Sequence, residues 1–414
     1  MKIIKPKAAT FDDFFKLASF FYKTIGIEPY DQPGVEVKQS KSFVANLVFY
    51  LGVINLNYIL VMEFVFVALA FIHGENILEA IMCLSYIGFV TVGESKMFFV
   101  FLKKPILSNF VKRLLKFFPQ ELKLQQSYNV SLYLRQCSKV TIAFALLYMI
   151  LIWTYNLYAV TQYLLYEKWL GVRVIGQQLP YYTYTWWDWQ GHWSYYLLYF
   201  MHTFAGYTSA TGQIASDIML CGFVYQLVMH FNYISMVMEN YQVKIANAKD
   251  NEMHKARSQD MAFLMDMIEY HDCLMELSEQ LNHVFSLPLL LNFSASSFVI
   301  CFVGFQMTIG AEPDTLIKLF LFLFSSTAQV YLICHYSQLL IDASLNVADA
   351  VYNQNWSIAD VRYQKMLILM AERAQKPVQL RATTLVLISR GTMTELMQLS
   401  YKFFALLRTM YVKK

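Results

Sequence analysis

Crossing a bilayer takes about 20 consecutive, mostly apolar residues. This chain offers that length seven times: residues 43–72, 77–102, 140–165, 195–228, 287–309, 316–341 and, more polar than the rest, 381–412. With 57% of its 414 residues apolar and only 15% charged, against about 25% charge in soluble domains, a water-soluble fold of this size could not bury its own apolar surface. The expected fold is an all-α membrane protein, a single domain over residues 1–414 with seven transmembrane helices. Several runs exceed the bilayer thickness and are expected to project or tilt. The first thirteen residues mix lysine, acid and small side chains and lack the apolar core of a secretory signal. The run that begins near Phe43 is therefore expected to act as its own entry signal.

Lysine and arginine set the orientation. The segments 1–42, 103–135, 226–286 and 342–376 carry twenty-two of them, and the opposite side carries four: Lys168, Arg173, Lys413 and Lys414. Positive loops stay in the cytoplasm, which predicts an inverted topology with the N-terminus cytoplasmic and the C-terminus extracellular. The sequons agree. Those at Asn129 and Asn355 fall on the cytoplasmic side, Asn292 falls inside a span, and the outer loops have none. None of the six cysteines lies in an outer loop or in a CxxC or Cys/His cluster, so free thiols are expected, without disulfide or metal.

The links differ in character. His73–Asn76 and Gly310–Thr315 read as tight turns. Tyr166–Trp193 is rich in Trp and Tyr and reads as an outer lid on the headgroups. Within the long charged links, Met261–Val284 and Ile358–Ala374 have amphipathic helical patterns. They suit surface helices capping the bundle and a docking layer between subunits equally well.

No catalytic constellation emerges. Gly93-Glu94-Ser95-Lys96 lacks the spacing of a phosphate-binding loop, Gly206 and Gly212 belong to no recognised glycine motif, and the histidines are scattered. An enzyme, a cofactor and a nucleic-acid partner are not expected. A G-protein-coupled receptor fails on topology, on the missing acid-Arg-aromatic triplet after the third span and on the missing Asn-Pro-x-x-Tyr in the seventh.

The last run is the most informative. On a helical wheel Thr384, Gly391, Glu395, Gln398, Lys402, Ala405 and Thr409 fall in a stripe about 80° wide. From Gly391 the gaps are 4, 3, 4, 3 and 4, a heptad-like seam. Charges in it cannot face hydrocarbon, where each costs several kcal/mol. The seam is either packed against other spans of the same chain or lines a pore built from several copies of this helix, and the regular spacing favours the pore. Leu406 and Met410 flank it near the end, where an apolar ring could close a pore by dewetting.

The ending Ser400-Tyr401-Lys402-Phe403-Phe404-Ala405-Leu406-Leu407-Arg408-Thr409-Met410-Tyr411 resembles the C-terminal signature of insect odorant receptors. Leu84–Phe89, Ser297–Phe302 and Tyr331–Tyr336 resemble the fruit-fly branch of that family, and the likeness runs the full length. It implies an inverted seven-span subunit in the plasma membrane of olfactory neurons. That subunit would assemble with the shared odorant co-receptor, as a tetramer in the family pattern, into a ligand-gated cation channel. The last helix would line the pore, with Leu406 and Met410 at the gate positions; Lys402, Arg408 and the terminal lysines make this tail more basic than the co-receptor's. It also implies a pocket for a small volatile odorant in the outer half of the bundle. Candidate wall residues, paired at helical spacing, are Met82 and Tyr86, Met149 and Trp153, Met201 and Phe204, and Phe320 and Phe324. A gustatory-type receptor is the near alternative. A transporter is the distant one, since internal repeats and broken spans are not evident.

Overall fold

Between Ala205 and Ala215 the sequence is crowded with Gly, Ala, Ser and Thr. In a membrane protein such residues let helix backbones approach closely. The computed structural model, which describes residues 8–31, 39–172, 174, 176–247, 252–309, 313–384 and 386–412, places this stretch at the centre of the bundle. It belongs to α8 (Ser194–Asn240), buried on nearly every side from Ala205 to Phe231. Around it pack α1 (Lys16–Thr24), α2 (Gln39–His73), α3 (Ile77–Leu102), α6 (Val130–Asn156), α9 (Met253–Met307) and α10 (Pro313–Asn353).

Among the described residues six helices are long and apolar enough to cross a membrane: α2, α3, α6 with its continuation through α7 (Tyr158–Gln162) to Trp169, α8, α9 and α10. Their outward faces carry large apolar side chains such as Phe43, Ile54, Leu146 and Ile317, as hydrocarbon contact requires. The last helix, α12 (Arg390–Val412), holds Arg390, Glu395, Lys402 and Arg408 and is less apolar than these six.

The segment 261–284, which suits a surface helix and a docking layer equally well, is built differently from a separate helix. The amphipathic stretch 261–284 is not a separate helix but part of α9, whose 55 residues run for about 82 Å at 1.5 Å per residue, against a hydrocarbon core of about 30 Å. α8 and α10 overrun in the same way. Their ends away from the lid form a layer with α4 (Lys104–Phe117), α5 (Leu122–Ser127) and α11 (Val361–Ala374). Stacked rings bind this layer, with Tyr128 on Tyr233 and Tyr241 on Phe263 at centroid distances of 3.5 and 3.6 Å.

The expected run 381–412 is also not one helix. Arg381–Ala382 and Val386–Leu387 pair antiparallel as a short hairpin, and the helix starts only at Arg390. Irregular backbone packed against helices needs partners for its polar groups, and polar side chains of α9 and α10 supply them. Asn282 donates to Gln379 O at 3.0 Å and accepts from Arg381 N at 3.1 Å. Ser337 Oγ accepts from Leu380 N and donates to Ile388 O, and Ser286 and Ser344 accept from Thr383 N and Val378 N. Of the positions read from sequence, Arg173, Gly310, Lys413, Lys414 and the side chain of Met410 lie outside the described residues.

Candidate functional site

The lid is not a sheet of aromatics resting on the bundle. Trp169, Trp186 and Trp193 are exposed, as an interfacial belt requires, but residues 177–184 dip inward between α2, α3, α6 and α8. Tyr184 N donates to Met62 O at 3.2 Å and Tyr195 OH to Gln178 O at 3.2 Å. Tyr181 reaches deepest. Its hydroxyl donates to Asn156 Oδ1 at 2.7 Å, and its ring stacks on His202 at 6.0 Å. Burial holds the Tyr181 phenol above its ordinary pKa, so it stays a neutral donor.

Two cavities lie on either side of this plug. A vestibule of about 600 Å³ beneath the lid is lined by Met82, Tyr158, Gln162, Gln178 and Lys318 among others. An inner cavity of about 40 Å³ is lined by Phe89, Leu151, Ile152, Asn156, Ala210 and Phe322. Tyr86, Tyr155 and Tyr181 belong to both walls and form the partition. Tyr86 packs its ring edgewise at 5.7 Å from Tyr155 and 5.6 Å from Tyr181. Tyr155 donates its hydroxyl to Lys318 O at 3.1 Å. The inner space has room for about three waters, so a larger guest needs its walls to move.

Asn156 is the polar hub of this region. Its Nδ2 donates to Ile152 O at 3.1 Å, and its carbonyl accepts from Tyr199 OH at 2.7 Å. Gly206 faces it from α8, and any Cβ there would overlap the Tyr181 hydroxyl and the Asn156 carboxamide. The latch between lid and helix therefore depends on a glycine.

Of the residues singled out from sequence, Tyr86 lines both cavities and Met82 lines the vestibule. The rest of that set sits elsewhere. Met149 and Trp153 are 45% and 48% exposed on the outside of α6, and Phe320 and Phe324 are 60% and 54% exposed on the outside of α10. Met201 and Phe204 are half-buried between α8 and α2, where Asn55 Nδ2 donates to Met201 O. The displacement is a matter of helix face. Phe322, two positions from Phe320 and Phe324, is 3% exposed and in the wall. Because lipid and core are equally apolar, composition cannot choose between the two faces. Asn156, a carboxamide in a mostly apolar run, was the available signal. Tyr181 had none, being one aromatic among many.

The polar stripe is exposed at Thr384 in the hairpin turn and at Gly391, Glu395, Gln398, Lys402 and Thr409 of α12, with Ala405 half-buried and Leu406 exposed beside it. Thr392, Leu396 and Ser400 form the buried side. The seam is therefore not packed within this chain.

A bundle of long apolar helices with a small apolar cavity beside a plug from a connecting segment is the fold of a multi-pass membrane protein. The family profile described as 7tm Odorant receptor matches residues 76–401. Odorant receptor 85b of Drosophila melanogaster is 49% identical over 97% of this chain and all of its own length, and Odorant receptor 85c of the same fly is 48% identical over the same shares. The fold is similar to that of the olfactory receptor OR5 from Machilis hrabei in complex with eugenol, with a TM-score of 0.80 and 14% identity over 97% of this chain and 98% of the other. The chain belongs to the odorant receptor family, whose members are receptors and not enzymes.

Proposed function

We propose that the chain is the odorant-binding subunit of a ligand-gated cation channel, assembled with the odorant co-receptor in the plasma membrane of olfactory neurons. Its N-terminus is cytoplasmic and its C-terminus extracellular. The observation that carries the reading is the outward polar stripe of α12. Glu395, Gln398 and Lys402 cannot face hydrocarbon and do not face their own bundle, so they need water or a neighbouring subunit. Heptad spacing suits helices meeting around one axis, and Leu406 and Met410 supply the apolar ring that closes it. The twenty-two to four division of basic residues supports the orientation.

The ligand is a small, mostly apolar odorant held in the inner cavity once Tyr181 moves aside. Tyr86, Phe89, Tyr155 and Phe322 supply ring faces, and Asn156 and Tyr181 supply hydrogen bonds, the mixture such pockets use. The similar Machilis hrabei receptor in complex with eugenol supports a site of this kind.

Cells expressing the chain tagged at both ends, with and without the co-receptor, test assembly and orientation together. Odour-evoked cation current is expected only in the presence of the co-receptor, and only the C-terminal tag should stain on intact cells. Silence to a broad odour panel with the co-receptor present would end the channel reading, and surface staining of the N-terminal tag would end the topology.

The pore has its own test. Glu395→Cys, Gln398→Cys and Lys402→Cys are expected to react with a charged thiol reagent and change the current at least about twofold, since their side chains face water. Leu396→Cys and Ser400→Cys, packed inward, should not react. Equal reactivity on both faces assigns the pore to another helix.

A further inference from the structure

Three polar side chains meet deep in the bundle, apart from both cavities. Lys96 Nζ lies 2.6 Å from one carboxylate oxygen of Asp217, and Gln329 Nε2 donates to the other at 2.6 Å. None is more than 2% exposed. They sit on α3, α8 and α10, which also build the inner cavity. The spacing is the same on each helix: Phe89 to Lys96, Ala210 to Asp217 and Phe322 to Gln329 are all seven residues. Seven residues return to within about 20° of the same helix face and descend about 10.5 Å. The triad therefore lies two turns below the cavity walls, on the same sides of the same helices.

Between the two levels α3 and α8 are locked together. A Cβ on Gly93 would come within 2.6 Å of Ser209 O, and one on Gly212 would overlap the Met97 side chain. Neither helix slides past the other without breaking this contact. A buried ion pair is weak support for stability, because desolvation offsets much of its attraction; its best-attested use is to fix register. Here both carboxylate oxygens are engaged, each by a different helix, so Asp217 sets two interhelical distances at once.

We infer that Lys96, Asp217 and Gln329 are positioning residues that fix the spacing of α3, α8 and α10 beneath the inner cavity and thereby set which ligand sizes it accepts. The inference rests on the reading of that cavity as the odorant site. Lengthening one arm by a methylene should widen the spacing, and removing the charges should leave it undefined.

The probe is a set of aliphatic alcohols, ketones and acetate esters of four to ten carbons, applied to cells expressing the chain with the co-receptor and normalised to surface staining. Asp217→Glu is expected to move the preferred chain length upward, changing the EC50 ratio of adjacent homologues at least threefold. Lys96→Met with Asp217→Leu, which leaves no unpaired charge to block folding, is expected to flatten the ranking across each series. If the variants reach the surface and scale the current without altering the ranking, the triad is structural only and the inference falls. It falls equally if neither variant reaches the surface, since the triad is then a folding requirement. Ala210→Phe separates this from the pocket assignment: if blocking the cavity also leaves responses unchanged, it is the odorant site itself that is misplaced.

Discussion

Ala210→Phe is expected to raise the EC50 of every activating odorant by about a hundredfold or more, while surface expression changes little. A hundredfold corresponds to about 2.7 kcal/mol of lost binding free energy. The new ring would enter an inner cavity of about 40 Å³ from its least yielding side, where α8 presents Gly206, Ser209 and Ala210 against α3 and α6. Overpacking a filled core costs about 1–3 kcal/mol, which the rest of a large bundle can absorb. A ligand, in contrast, would have to expel the phenyl ring before it could occupy its place. Dose–response curves read beside surface staining decide the matter. An unchanged EC50 would remove the inner cavity from consideration.

Asn282→Leu should have the second large effect, far from any ligand. Its carboxamide satisfies two backbone groups of the segment leading into α12, Gln379 O and Arg381 N. Leucine leaves both part-buried groups without this partner, at up to about 1–3 kcal/mol each. The hairpin that starts α12 is expected to loosen, so surface delivery should drop severalfold and the inward-facing Leu396→Cys and Ser400→Cys should become reactive. Arg381→Ala is the contrast. Its ion pair with Glu279 is exposed, and such pairs contribute about 0–1 kcal/mol, so its effects should stay within about twofold. Similar losses in both variants would mean that the hairpin is not held by the Asn282 side chain.

The parts of this molecule that could be read in advance are those where the bilayer imposes a length or a charge is forced to choose a side. Six spans and the outward stripe of α12 are of that kind. Lateral orientation was not legible: Trp153 and Tyr155, or Phe320 and Phe322, are interchangeable by composition, yet one of each pair faces outward and the other lines the cavity. The hairpin was hidden for a related reason. Residues 381–388 join onto the apolar run that follows, and the side chains that capture their backbone, Asn282, Ser286 and Ser337, lie 51 or more positions away in sequence. Tyr181 is known as a plug only through Asn156, 25 residues before it.

The crowding of α8 bears on how a pocket of this design changes its preferences over generations. On that wall Gly206 already touches the lid latch, and Gly93 and Gly212 already bring α3 and α8 together. Enlarging any of these three glycines damages folding or closure before it alters taste for a ligand. Leu151, Ile152, Tyr155 and Phe322 stand on the opposite walls, on helices whose backs meet lipid and can shift outward. A change in ligand preference is therefore easier to accommodate through α6 and α10 than through the glycines that hold α8 in place.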